Sequence, residues 1–151
     1  MSEVPSNTQP GRQRLLRRRN RRENRYGVAA VEFAVIAPIF FLMVVGILEF
    51  GRALMVQQVI VSAARVGARQ AITLNATTAG VTTTVTDYAG NAAVPGVSVV
   101  VNPSPNSAAA GDIITVTTTV NFDQVSWLPT PWFLGGNTLT SASSMRKEGL
   151  N

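Results

Sequence analysis

The hydrophobic positions of this chain fall into three regimes. From Val28 to Leu48 they run almost unbroken, 21 residues with a single charge at Glu32. From Ala53 to Leu74 they recur at helical spacing: Val56, Ile60, Ala63, Gly67, Ala71 and Leu74 step by three or four along one stripe. Beyond Gly80 the apolar runs shorten and partly alternate. The first two regimes together predict one helix from about Val28 to Leu74, roughly 70 Å long at about 1.5 Å per residue.

The third regime predicts a small head. Asn75–Gly80 reads as a break with capping residues. Val81, Val85, Tyr88 and Ala92 then step by four, three and four, which favours a short amphipathic helix, although the threonines and valines between them favour a strand; the helix is the reading adopted. Pro95-Gly96 marks a turn, followed by strands at 97–101, at Ile113–Phe122 and in "TLTSASSMRKE" from Thr138 to Glu148. Between them lie two loops, Asn102–Asp112 and Ser126–Asn137, the second holding both tryptophans. The expected fold class is α+β: a long N-terminal helix, transmembrane in its first half and amphipathic in its second, then one short helix on an antiparallel sheet of about three strands. So thin a core leans on the long helix and on neighbours.

A helix needs about 20 apolar residues to cross a hydrocarbon layer of about 30 Å, and the first regime suffices. A buried core helix would need a larger and less polar body around it. Pro38 lies inside the run, and a kink is expected there. A cleavable secretory signal would have an apolar stretch of about 7–15 residues and a small-residue cleavage site; this run is longer and ends in "LEFGR".

Charge sharpens the picture. Residues 1–27 hold eight Arg and two Glu, a net of +6, whereas the rest of the chain carries a net of −1. A basic tail can serve a nucleic acid, lipid headgroups or membrane topology; directly before an apolar span it points to topology, with the N-terminus cytoplasmic and the head outside.

Glu32 is the anomaly. A carboxylate at mid-membrane costs about 2.5–3.5 kcal/mol, less near the interface, and Glu32 lies about 6 Å past Val28. It is either protonated, reaching back to headgroups, paired with Arg25, or matched to a charge made later. Cleavage after Gly27 would supply that charge, since Val28 would then carry a free α-ammonium. The amine could pair with Glu32 of its own helix at i, i+4 or with that of a neighbouring chain. Removing residues 1–27 would also strip off the basic anchor.

A basic leader, Gly27, a short apolar stretch, Glu32, the aromatic Phe33 and a long apolar helix resemble the class III signal of type IV prepilins and pseudopilins. With Pro38, Glu49-Phe-Gly-Arg52 and Ala63-Ala-Arg-Val-Gly-Ala-Arg69, residues 27–71 are similar to the TadE-like proteins, minor pseudopilins of the tight-adherence (Tad, Flp-type) pilus machinery. The resemblance implies a prepilin peptidase of the membrane aspartyl type cutting after Gly27, Val28 as the new N-terminus, and Glu32 as the processing and assembly glutamate, with Phe33 and Pro38 in helix packing. It implies as partners the peptidase, other pilins and pseudopilins, platform proteins of the Tad system and membrane lipid. The protein would reside in the bacterial inner membrane or enter the pilus, and would act in pilus assembly and adhesion. One departure is Val28, where a phenylalanine that becomes N-methylated is common. The divisions expected are a cleaved cytoplasmic leader at 1–27, a transmembrane helix at 28–50, an amphipathic extension at 51–75 and an extracytoplasmic α+β domain at 76–151.

Outside the span, Glu49 and Arg52 share a helix face and are expected to pair as a marker of the far interface. Ala63, Gly67 and Ala71 place a small residue every four, a pattern open to two uses: packing on the chain's own head, or contact with another subunit. Arg65 and Arg69 read as a solvated flank. The Trp127–Phe133 stretch reads either as a lid over the open face of the sheet or as a contact for a partner or the outer headgroup layer.

With no His and no Cys, thiol, imidazole and disulfide chemistry are excluded, along with zinc sites built on those ligands. Asp87, Asp112 and Asp123 are scattered, with turn and cap roles expected, and no nucleotide-binding or nucleophile motif occurs. The sequence therefore predicts no enzyme, cofactor, metal, nucleic acid or small-molecule substrate. The alternative to the pilus reading is an uncleaved, single-pass anchored binding module that presents the Trp127–Phe133 loop.

Overall fold

The computed structural model describes residues 11–147 and 149, and of residues 11–26 only the backbone. The arginine side chains of the basic leader and Glu148 lie outside the described residues. Helix α1 runs Gly11–Ala71 and continues through Pro38. It is followed by α2 (Thr78–Asn91), β1 (Ser98–Asn102), β2 (Ile113–Asn121), the single turn α3 (Phe122–Val125) and β3 (Thr138–Arg146). The three strands form one antiparallel sheet in the order β1-β2-β3. The α+β class, with a long apolar N-terminal helix, one short helix and three strands, is the one expected.

Two compact units divide between Val44 and Val45. In the first, the described side chains of α1 face outward: Val31, Phe33, Ile36, Ile39 and Phe41 are all exposed. An apolar surface of this extent marks contact with a membrane or with other protein, and the helix is long and apolar enough to cross a membrane.

The second unit, from Val45 onward, is built on the rest of α1. Val56, Ile60, Ala63, Ala64, Ala68 and Ala71 are fully buried, so this part of α1 is a layer of the head itself. One cluster joins Ala63, Ala68 and Ala71 to Val81 and Val85 of α2 and Ile114 and Val116 of β2. A second joins Val56 and Ile60 to Ala89, Val94, Val120, Phe122 and Val125. Strand β2 alternates strictly, with Ile114, Val116, Thr118 and Val120 inward. The opposite face, Thr115, Thr117 and Thr119 with their β3 partners Ser144, Ala142 and Thr140, is polar and more open.

Helix α2 forms despite its β-branched composition because Val81, Val85 and Ala89 pack one face of it into the head, and its threonine hydroxyls are satisfied within the helix. Thr82, Thr83, Thr84 and Thr86 each donate to the carbonyl four residues back, and Thr77 caps the N-terminus by accepting from Gly80 N at 3.1 Å. Its buried face is Val81, Val85 and Ala89; Tyr88, expected on that face, lies on the flank. Leu74, expected to close the α1 stripe, is exposed, because the helix ends at Ala71 and the chain turns through Asn75 in the left-handed region at φ 62°.

Candidate functional site

Gly27 and Glu32 occupy exposed positions on α1, and nothing lies within 4 Å of where a Gly27 Cβ would be. Val28 and Phe33 are exposed, as is Pro38. Glu32 therefore sits on a helix surface whose described neighbours at i−4, i−3, i+3 and i+4 are Val28, Ala29, Val35 and Ile36, all apolar. A charge so placed has no polar side chain one turn away among them. Arg25, offered by the sequence as a partner, has its side chain outside the described residues.

The second group of residues is far more elaborated. Glu49 is 1% exposed and Arg52 is 5% exposed, but the structure gives them separate partners rather than the expected pair. The Glu49 carboxylate accepts three consecutive backbone N–H groups from the loop between α3 and β3. Trp132 N donates to Oε1 at 2.6 Å, and Phe133 N and Leu134 N donate to Oε2 at 2.9 and 3.0 Å. Successive amides converging on one anion make a charge-assisted nest. Gly135 lets this turn close, since a Cβ there would stand 2.9 Å from Pro131 O.

Arg52 ties down the segments on either side. Its Nε donates to Val125 O at 2.7 Å and its Nη2 to Ala93 O at 2.8 Å, while its guanidinium carbon lies 5.0 Å from the centre of the Trp127 ring. One helical turn of α1 thus grips the end of α2, the end of α3 and the tryptophan loop. Asp123 holds the far side of that loop by accepting from Gly136 N at 3.1 Å, and Asp112 accepts from Ala109 N at 2.7 Å, so both act as turn acceptors.

The tryptophan loop is therefore not a lid on the sheet: its backbone docks on α1 while Trp127 and Trp132 point outward. Ala63, Gly67 and Ala71 are consumed inside the head. A Cβ on Gly67 would stand 2.5 Å from Val85 Cγ2 and 3.1 Å from Val116 Cγ1, so the small-residue stripe serves this chain's own packing and is closed to a neighbouring subunit. Arg65 and Arg69 are exposed as expected.

Sequence reasoning found Glu49 and Arg52 but missed their partners, which are backbone groups more than 40 residues away. It also missed Thr118, a buried hydroxyl that donates to Ile60 O at 3.1 Å. Its signal was a threonine at an inward position of a strand otherwise lined by Ile and Val.

No curated protein and no solved structure matches the chain. A family model does match at residues 27–69, under the description TadE-like protein. The match starts at Gly27 and takes in Glu32, Pro38, the Glu49–Arg52 turn and the buried stripe up to Ala68; Ala71, α2 and the sheet lie beyond it. Residues 27–69 of this chain match the TadE-like family, the one that Gly27, Glu32 and the apolar run after them resemble.

Proposed function

We propose that this chain is a minor pseudopilin of a tight-adherence pilus system, held in the bacterial inner membrane by one helix with its N-terminus in the cytoplasm. A prepilin peptidase cuts it after Gly27, and the mature protein acts with other pilins and the Tad assembly platform in pilus assembly and adhesion. The observation that carries this reading is the TadE-like match, whose first residue is the one before the cut.

The physical logic supports it. Helix α1 is continuous through Gly27, so a protease must unwind it locally, and glycine resists unwinding least among non-proline residues. The cut removes a net charge of +6, which otherwise holds that end in the cytoplasm. It also creates an α-ammonium at Val28, and Glu32, on an apolar surface, is the matching anion for an incoming neighbour.

Intact-mass and N-terminal mapping of the protein from its native membrane, with and without the peptidase, tests the reading. The expected product starts at Val28 only when the peptidase is present, and Gly27→Ala should impair processing. A working, assembled protein that retains residues 1–27 would favour instead the permanently anchored binding module, to which the outward-facing tryptophans lend some support. Glu32→Gln, which keeps shape and removes charge, should insert normally but fail to incorporate. Assembly at the parent level would remove the charge-pairing account.

A further inference from the structure

Both tryptophans of the chain lie in the loop between α3 and β3, and that loop is fixed against one short length of α1. Phe133 lies over Gly46, where a Cβ would stand 3.5 Å from its ring. The Trp132 amide is on Glu49, and the Trp127 ring is beside Arg52. From Gly46 to Arg52 is about 9 Å along a helix axis. The apolar run ends within that interval, at Leu48. The polar layer on each side of a bilayer's hydrocarbon core is about 5–8 Å thick, so the docked loop brackets the end of the hydrocarbon-length run over an interval close to the thickness of that layer.

The outward surface of the loop itself is largely aromatic. Trp127 is 65% exposed, Trp132 69% and Phe133 46%, and the same turns of α1 expose Phe50 and Leu54. Residues 126–137 contain no Asp, Glu, Lys or Arg. Glu49 and Arg52 are buried beneath the loop, and the exposed Asp123 at its far side is turned to the Gly136 amide. Charges turned inward and indoles turned outward invert the arrangement that water favours, while tryptophan is favoured in the headgroup layer of a membrane.

We propose that Trp127, Trp132 and Phe133, with Phe50 and Leu54, form a band seated in the headgroup layer of the membrane that residues 28–48 cross. The Glu49–Arg52 clamp then sets the depth of the head by fixing that band to α1. The proposal rests on the anchor reading above, and the occupant it commits to is lipid.

Because Trp127 and Trp132 are the only tryptophans, intrinsic fluorescence of the full chain in phosphatidylcholine vesicles reports this loop alone. The expected result is blue-shifted emission, protected from aqueous iodide, and quenched more by lipids brominated near the glycerol end of the acyl chain than by lipids brominated near its tip. Trp127→Phe and Trp132→Phe, each leaving one reporter, should give the same ranking. Glu49→Ala should keep the chain in the vesicle but lose the preference between the two brominated lipids. Vesicle-retained protein whose tryptophans are open to iodide and indifferent to both lipids overturns the proposal and leaves the band to a protein partner. Protein not retained by vesicles overturns the anchor reading and this proposal with it.

Discussion

Thr118 Oγ1 donates to the carbonyl oxygen of Ile60 at 3.1 Å, joining the middle strand to α1 across 58 residues of chain. The hydroxyl is fully buried and also lies 3.3 Å from Ser141 O, so the centre of the sheet is bound in polar fashion to the helix on which it packs. A buried hydroxyl of this kind fixes which residue of α1 faces which residue of β2, something that an interface of Ala and Val side chains alone specifies weakly.

Thr118→Val keeps the side-chain shape and removes the donor. The head should lose about 0.5–1.5 kcal/mol, the net worth of one hydrogen bond, read as a lower urea midpoint for the detergent-solubilised chain with unchanged slope. A midpoint equal to or above that of the parent would show that the bond contributes nothing to stability.

Gly67 and Gly51 lie on the same helix and should respond to alanine in opposite directions. A methyl group at Gly67 meets Val85 and Val116 at contact distances no packed core accommodates without movement, whereas nothing lies within 4 Å of one at Gly51. Gly67→Ala should cost about 1–3 kcal/mol through overpacking. Gly51→Ala should gain about 0.5–1 kcal/mol through helix propensity. Thermal unfolding of the two variants side by side measures the difference, and similar shifts would contradict the close approach at Gly67.

What the sequence made legible was whatever depends on local spacing. The apolar run, the stripe from Val56 to Ala71, the helix over the threonine-rich segment and the three strands all follow from periodicity and turn residues near one another in the chain. Spacing marked Gly67 as one of a stripe of small residues open to two uses, but could not say that the atoms closest to it belong to Val85 and Val116 of the same chain. The partners of Glu49 were hidden for a stronger reason. They are backbone amides 83 to 85 residues away, and an amide has no signature in the sequence. Helical neighbours at i, i+3 therefore suggested a Glu49–Arg52 pair that the fold replaces with better-buried partners. Leu74 went astray because periodicity does not register that the helix ends at Ala71, before the chain turns through the left-handed Asn75.

The corner after α2 is built at a cost. Val94 N donates to Ala89 O at 2.9 Å and Ala93 N to Gly90 O at 3.0 Å, a Schellman closure whose left-handed residue is Ala93 at φ 56°. Alanine there is disfavoured relative to glycine, yet the corner aims the Ala93 carbonyl at Arg52 Nη2. Ala93→Gly keeps that carbonyl in place and relieves the strain. It should raise stability by about 0.5–1 kcal/mol, or roughly 2–6 °C in Tm, in a differential scanning measurement. A fall in Tm would mean that the glycine loosens the corner more than it relaxes it.

The Glu49 clamp makes a prediction that stability measurements alone would miss. Because Trp132, Phe133 and Leu134 all donate to its two oxygens, their amides should exchange with solvent slowly although they lie in a loop whose side chains are largely exposed. Glu49→Gln keeps the volume but turns one acceptor into an NH2 group that faces N–H donors, so at least one of the three bonds is lost and the remainder lose their charge assistance. Hydrogen–deuterium exchange over the peptide containing residues 132–134 should accelerate in this variant, while exchange in β2, held by its two neighbouring strands, should not change. Uniform acceleration across loop and sheet would assign Glu49 a general role in stabilising the head. Unchanged exchange at 132–134 would mean that Asp123 and Arg52 hold the loop without it.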